Sequence, residues 1–293
     1  MDVIFVEFSA PPRIPHTKIM MFVSRAGGHV CLVSSQVRSW TFGLLVALFA
    51  RPCLADELTV FAAPIRDYMN RIGPTLDQSS GLMMEITAGA FRQARLSATV
   101  APSVPWARAQ ALAKDKPGSI LVLLARTPVR EEQWQWLSMV YTDKIYGYTL
   151  KGRPAFTSYE DIRARRPRVG VMLGSASESM LKGMGVSTEA VVDIERNFMK
   201  LLSGRLDVVL QQGMEVPPAI MAVESLHRAE FSSRIADLRR TPISTLPLWV
   251  VTSKKTSAAD VVRLRAALDS FKQCVEYKAI VRKYEDRNLI IEQ

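Results

Sequence analysis

An α/β fold of two lobes joined by two crossovers is predicted by three features of the sequence. Short apolar strands alternate with helical patterns over residues 58–124, as in a mainly parallel sheet with helices on its faces. Two extended runs, 145–150 and 247–252, are spaced to carry the chain out of one lobe and back. Between them, a second set of strand and helix patterns supplies another lobe. The domain expectation is a leader over 1–55, a first lobe from 56–146 and 247–293, and a second lobe over 147–246.

In the first lobe, 58–62 alternates as a strand, and 63–78 reads as a loop with Tyr68 at its centre. A helix over 81–94 keeps Met83, Ile86 and Ala90 on one side. Strand 96–100, a helical run over 107–113 and the apolar strand 120–124 complete the alternation. That last strand empties into Arg126, Thr127, Pro128, Val129, Arg130, Glu131 and Glu132. Ligands of open α/β sheets bind past the carboxyl ends of the strands. After Trp136 the pattern breaks until the Tyr-rich run IYGYTL.

The second lobe opens with a short helix over 158–163 and a strand over 168–172; Gly174 and Ser175 then begin a helix. A helix over 195–202 stops with Gly204 at the C′ position, and 207–210 returns as a strand. The closing helical region, 258–284, puts Val261, Leu264, Leu268, Phe271 and Val275 on one face. Cys274 reads as a buried thiol on that face.

Residues 1–55 read differently from the rest. Arg38 precedes an apolar run over 40–50, too short for the roughly 20 residues that span a bilayer, and Cys53-Leu54-Ala55 ends it in a small-x-small pattern. This predicts a secretory signal peptide cleaved after Ala55; a buried amino-terminal helix is the rival. Removing that piece takes away five Lys/Arg and two Asp/Glu, so the net charge falls from +10 to +7. Of three cysteines only Cys274 then remains, which excludes an intrachain disulfide. A basic cluster, Arg163, Arg165, Arg166 and Arg168, lacks interleaved aromatics, so nucleic-acid binding is not expected. No metal-ligand spacing, phosphate loop or Ser-His-Asp set occurs, and neither metal nor cofactor is expected.

The segments PWARAQ, RTPVRE, RVGVMLGSASE and LLSGRLDVVL and the closing amphipathic helix, in this order, resemble the family 3 extracellular solute-binding proteins. These are the periplasmic receptors of ABC importers, many of which bind polar amino acids. The resemblance covers nearly all of 58–284. It implies a type II periplasmic-binding-protein fold that closes on a small solute by hinge bending, a monomer in the periplasm, and an ABC permease in the inner membrane as partner.

The resemblance also implies site residues. Arg130 matches the arginine that clamps a ligand carboxylate, for which a planar guanidinium supplies paired hydrogen bonds. Thr127 matches the threonine whose hydroxyl supports that site. Ser175 and Ser177 match a loop that lends hydroxyls and backbone N–H groups at a helix start. Tyr68 stands as an aromatic wall. Gln212 falls where amino-acid binders carry an acid for the ligand ammonium, a charge partner that a neutral amide does not provide. A carboxylate without a nearby ammonium, or a more apolar solute, fits these residues better, unless Glu215 substitutes for the acid.

Each residue has a plainer reading. Arg130 could pair with Glu131 or Glu132, Ser175 and Ser177 could be helix caps, and Trp106, Trp134 and Trp136 could be lobe packing. Arg108 and Arg126 either raise the cleft's potential for anions or are solvated surface. Two other functions compete: a sensor module without transport, and a dehydratase-like enzyme on the same fold. For the enzyme, Glu85, Glu131 and Glu215 are the candidate carboxylates, and His227 the one histidine beyond residue 55.

Overall fold

A computed structural model describes residues 57–213 and 234–290, with Ile220, Val223 and Ser225 between them. The predicted signal peptide, Glu215 and His227 lie outside the described residues.

Eight strands form one sheet in the order β2-β1-β3-β8-β4-β7-β5-β6. One side is β1 (Thr59–Phe61), β2 (Thr99–Val100) and β3 (Ser119–Ala125), all parallel. The other is β5 (Val169–Met172), β6 (Glu189–Val191) and β7 (Val208–Gln212), also parallel. Between them run β4 (Trp134–Leu150) and β8 (Leu238–Ser253), antiparallel to each other along their whole length. β8 bonds to β3 through residues 248–252, and β4 bonds to β7 through residues 145–148. The two expected short crossovers are thus halves of one long two-stranded ribbon, and the predicted break after Trp136 is strand.

Helices cover the sheet as apolar periodicity dictates. α1 (Leu82–Gln93) buries Leu82, Met83, Ile86 and Ala90, and α2 (Trp106–Asp115) buries Trp106, Ala109 and Ala113. A short α3 (Pro128–Glu131) follows β3. α4 (Tyr159–Arg165), α5 (Ala176–Gly183) and α6 (Ile194–Leu202) serve the second side. Gly204, at φ 76°, ends α6 as predicted because the left-handed C′ position costs glycine nothing. A smaller core of Tyr148, Phe198, Leu201, Leu202, Leu206, Val209 and Val223 fills this side.

The closing helical region is two helices, α7 (Ala258–Phe271) and α8 (Val275–Ile290). Cys274 lies in the break between them, half-buried, with its thiol 3.1 Å from Gln93 Oε1, and so is not the buried hydrophobe expected. α8 is tied back to α1 through Glu85. Lys283 Nζ donates to both carboxylate oxygens at 2.9 and 2.8 Å, and the Tyr284 hydroxyl donates at 2.6 Å. Partial burial pushes the Glu85 carboxyl up, but these bonds outweigh it and hold it below its ordinary value of 4.5. A carboxyl lowered by folding stabilises the native state above its ordinary pKa, and the contribution is lost as pH falls towards the lowered value. Glu85→Gln is therefore expected to flatten the loss of the urea midpoint as pH falls below about 4.5; an unchanged pH profile would contradict the role given to this contact.

Candidate functional site

β3 is buried over its whole length, and its pairing with β8 shifts register between Leu121 and Leu124. Leu123 sits in that irregularity at φ 73°, a conformation that a bulky residue adopts only where its surroundings enforce it. The bulge leaves Leu123 on the wall of a cavity. The strand then ends at Ala125, and Thr127 and Pro128 start α3 at once. Pro128 takes a first-turn position where its missing N–H loses nothing. One turn of helix carries Arg130 back over the strand end.

Arg130 is 7% exposed. Its Nη1 donates to the Ala125 carbonyl at 3.1 Å and its Nη2 to the Gly174 carbonyl at 2.6 Å. Burial lowers its pKa to about 10, with the Glu178 carboxylate acting the other way. The alternative pairing with Glu131 belongs to Arg126, which makes a two-point ion pair with that carboxylate and lies over the edge-to-face pair of Trp136 and Trp249, its Cζ 5.2 Å from each ring centroid. Arg126 is accordingly an outer-surface residue and leaves Arg130 as the cation of the interior.

The Gly174 carbonyl is a meeting point. Besides Arg130 it accepts from Trp106 Nε1 at 3.1 Å and from Gln110 Nε2 at 3.0 Å. Three donors from α2 and α3 thus converge on one backbone oxygen of the β5–α5 loop. Gly174 has φ 77°, and a Cβ there would lie 2.9 Å from Gln110 Nε2 and 3.1 Å from Ala107 Cα, so the close approach needs glycine. A looser contact, Thr127 Oγ1 to Ser179 Oγ at 3.4 Å, joins α3 to α5.

The cavity between these elements is walled by Ile65, Leu123, Ile145, Met172, Leu210 and Leu246 on its apolar side. Arg130, Ser175, Ser177, Gln211 and Gln212 supply the polar side. Its free space is about 20 Å³, and Ile65, Trp106 and Met172 also wall a wider chamber of about 370 Å³. Gln212, at the end of β7, buries its Oε1 with no hydrogen-bond partner among the described residues.

The cap reading holds for Ser175 and not for Ser177. Ser175 caps α5, its Oγ accepting from the Glu178 N–H at 3.1 Å, while the Gly174 N–H donates to Glu178 Oε2 at 2.5 Å. Ser177 is 2% exposed and shares a 3.0 Å hydrogen bond with the Tyr159 hydroxyl. Both nonetheless line the cavity. Tyr68 does not. It is fully buried in the core, its hydroxyl donating to the Asp143 carboxylate, so the expected aromatic wall is instead a tie between the first loop and β4. Thr127 is 5% exposed and starts α3 without lining the cavity.

Sequence reasoning passed over two parts of the site. Trp106 was read as packing and is both a wall and a donor. Gly174 was read only as a helix start, although a glycine one place before an S-x-x-E cap was a signal for an unusual backbone. Of the candidate carboxylates among the described residues, Glu85 is held by α8 and Glu131 by Arg126. Among the described residues no carboxylate lines the cavity, and no cluster of His, Cys, Asp or Glu could hold a metal.

No model of a known protein family matches the chain, and no curated protein matches it. Solved structures do. A histidine kinase sensor domain with similarity to periplasmic binding proteins matches with a TM-score of 0.62 at 13% identity, over 78% of this chain and 96% of that one. The arginine-, lysine-, histidine-binding protein of Geobacillus stearothermophilus gives 0.59 at 13% identity, over 78% and 94%. An ancestral amino acid-binding protein, a precursor of cyclohexadienyl dehydratase, gives 0.56 at 14% identity, over 78% and 95%. The chain has the periplasmic-binding-protein fold, with two α/β lobes. No described helix is long and apolar enough to cross a membrane.

Proposed function

We propose that the chain is a solute receptor of the family 3 type, which binds a small carboxylate between its lobes and delivers it to an ABC permease. The observation that carries this reading is the cavity's charge: one buried guanidinium, and no carboxylate lining it among the described residues. A guanidinium has five N–H donors. Two of them bond to backbone carbonyls, leaving donors for an anion that would offset the cost of burying the charge.

The lobes are 56–146 with 247–293, and 147–246, moving about the β4–β8 ribbon. Export through the leader over 1–55 puts the receptor in the periplasm, where it works as a monomer. The free space of about 20 Å³ holds about one water, so a ligand enters only when the Gly174 contacts part and the lobes open. Thermal-shift measurements on matched pairs of organic acids and their amides test the reading. Stabilisation by at least one acid, and none by its amide, is expected; equal shifts within every pair would count against Arg130 as the anion clamp.

A sensor role without transport is the second reading, favoured by the likeness to a histidine kinase sensor domain. The two share the cleft and differ in the partner. Binding followed by transfer to permease-bearing vesicles would support import. A dehydratase-like enzyme would need an acid or base in the cavity, and among the described residues no carboxylate lines it.

A further inference from the structure

We infer that Gln212 reads a neutral hydrogen-bond donor close to the ligand carboxylate, so that the cleft takes small 2-hydroxy acids with an apolar body in preference to 2-amino acids. The inference rests on the carboxylate reading above and deepens it. Gln212 Oε1 is a buried acceptor without a partner among the described residues, and Gln212 lines the same cavity as Arg130. A buried acceptor left unpaired is costly, and a ligand that supplies an O–H removes that cost.

Three properties of the walls narrow the class. Arg130 and Gln212 line the same cavity, so one small ligand can meet both. Beside Trp106 and the polar Ser175, Ser177 and Gln211, the cavity is walled by the apolar side chains of Ile65, Leu123, Ile145, Met172, Leu210 and Leu246, which suit a hydrocarbon body. Among the described residues no carboxylate lines the cavity, so they offer a desolvated ammonium no counter-charge there. A hydroxyl presents the same donor with no charge to desolvate.

Two triads of probes differ only at the second carbon: lactate, pyruvate and alanine, and 2-hydroxyisovalerate, 2-oxoisovalerate and valine. Calorimetry on the protein is expected to rank hydroxy above oxo above amino in at least one triad. The hydroxy acid should bind about ten- to a hundredfold tighter than the oxo acid, which has no donor for Gln212. Gln212→Leu should bring the hydroxy acid down to the oxo acid, and Gln212→Glu should move preference towards the amino acid. Equal affinity for hydroxy and oxo acids, a preference that survives Gln212→Leu, or tightest binding of the amino acid would overturn the inference. So would silence from all six probes while another acid binds, an outcome that spares the carboxylate reading. If no acid of a wide panel binds, both fall.

Discussion

Arg130→Met is expected to abolish carboxylate binding while leaving the melting temperature of the unliganded protein unchanged or higher. The binding half follows from removing a buried charged hydrogen-bond donor from a complex, which costs about 2–5 kcal/mol, or roughly thirty- to several-thousand-fold in affinity. The stability half follows from the environment of Arg130. It is 7% exposed, its two hydrogen bonds go to neutral backbone carbonyls, and burial lowers its pKa to about 10. A cationic group whose pKa falls on folding holds its proton less tightly in the native state than in the unfolded chain. The native state therefore bears the cost at every pH below about 10, on the order of 3 kcal/mol, and recovers it only as pH rises through that value. Methionine fills similar space without charge. Calorimetry and thermal melts on the two proteins check both halves. Retained binding, or a melting temperature lowered by several degrees, would contradict this account of Arg130.

Gly174→Ala is expected to loosen the closed cleft. The added Cβ meets Ala107 Cα at 3.1 Å and Gln110 Nε2 at 2.9 Å, at a backbone φ of +77°. The side-chain amide can yield, but the α2 backbone cannot without moving the helix. The left-handed conformation adds about 1 kcal/mol for alanine, and overpacking typically adds about 1–3 kcal/mol. Moving the loop strips Trp106, Gln110 and Arg130 of their shared acceptor at once. A smaller fraction of closed molecules lowers apparent affinity in proportion. Binding weaker by about ten- to a hundredfold, with a larger radius of gyration in X-ray scattering, is the expected result. The same dissociation constant and the same radius would show that Gly174 does not latch the lobes.

The stretch from β1 to β3 was legible because β1 and β3 are short and fully buried and are separated by helices of clear period. Of the β4–β8 ribbon only 145–150 and 247–252 were legible. β4 changes register with β8 at Trp136/Ser138, Met139/Tyr141 and Ile145/Tyr146, and each shift resets the alternation by which a strand is recognised. β8 contains Pro242 and Pro247, which argue against a central strand. Both are tolerated because β3 pairs with β8 only from Leu248 to Thr252, leaving the earlier part of β8 open on that side. β6, three residues beginning with Glu189, has too little apolar pattern to register.

The site divides in the same way. Arg130, Ser175, Ser177 and Gln212 are what the family resemblance implies, and all four line the cavity. Tyr68 was placed by its loop alone, and the core claimed it. The convergence on Gly174 was illegible because its acceptor is a backbone oxygen, 68 residues from Trp106 and 44 from Arg130. Side-chain chemistry carries no trace of such a contact.

Native mass spectrometry of the protein purified from the cells that make it tests the central claim most directly. The account predicts a retained small molecule bearing a carboxylate, present on the wild-type chain and absent from Arg130→Met. A co-purifying molecule without a carboxylate, or one that Arg130→Met retains equally, would contradict it.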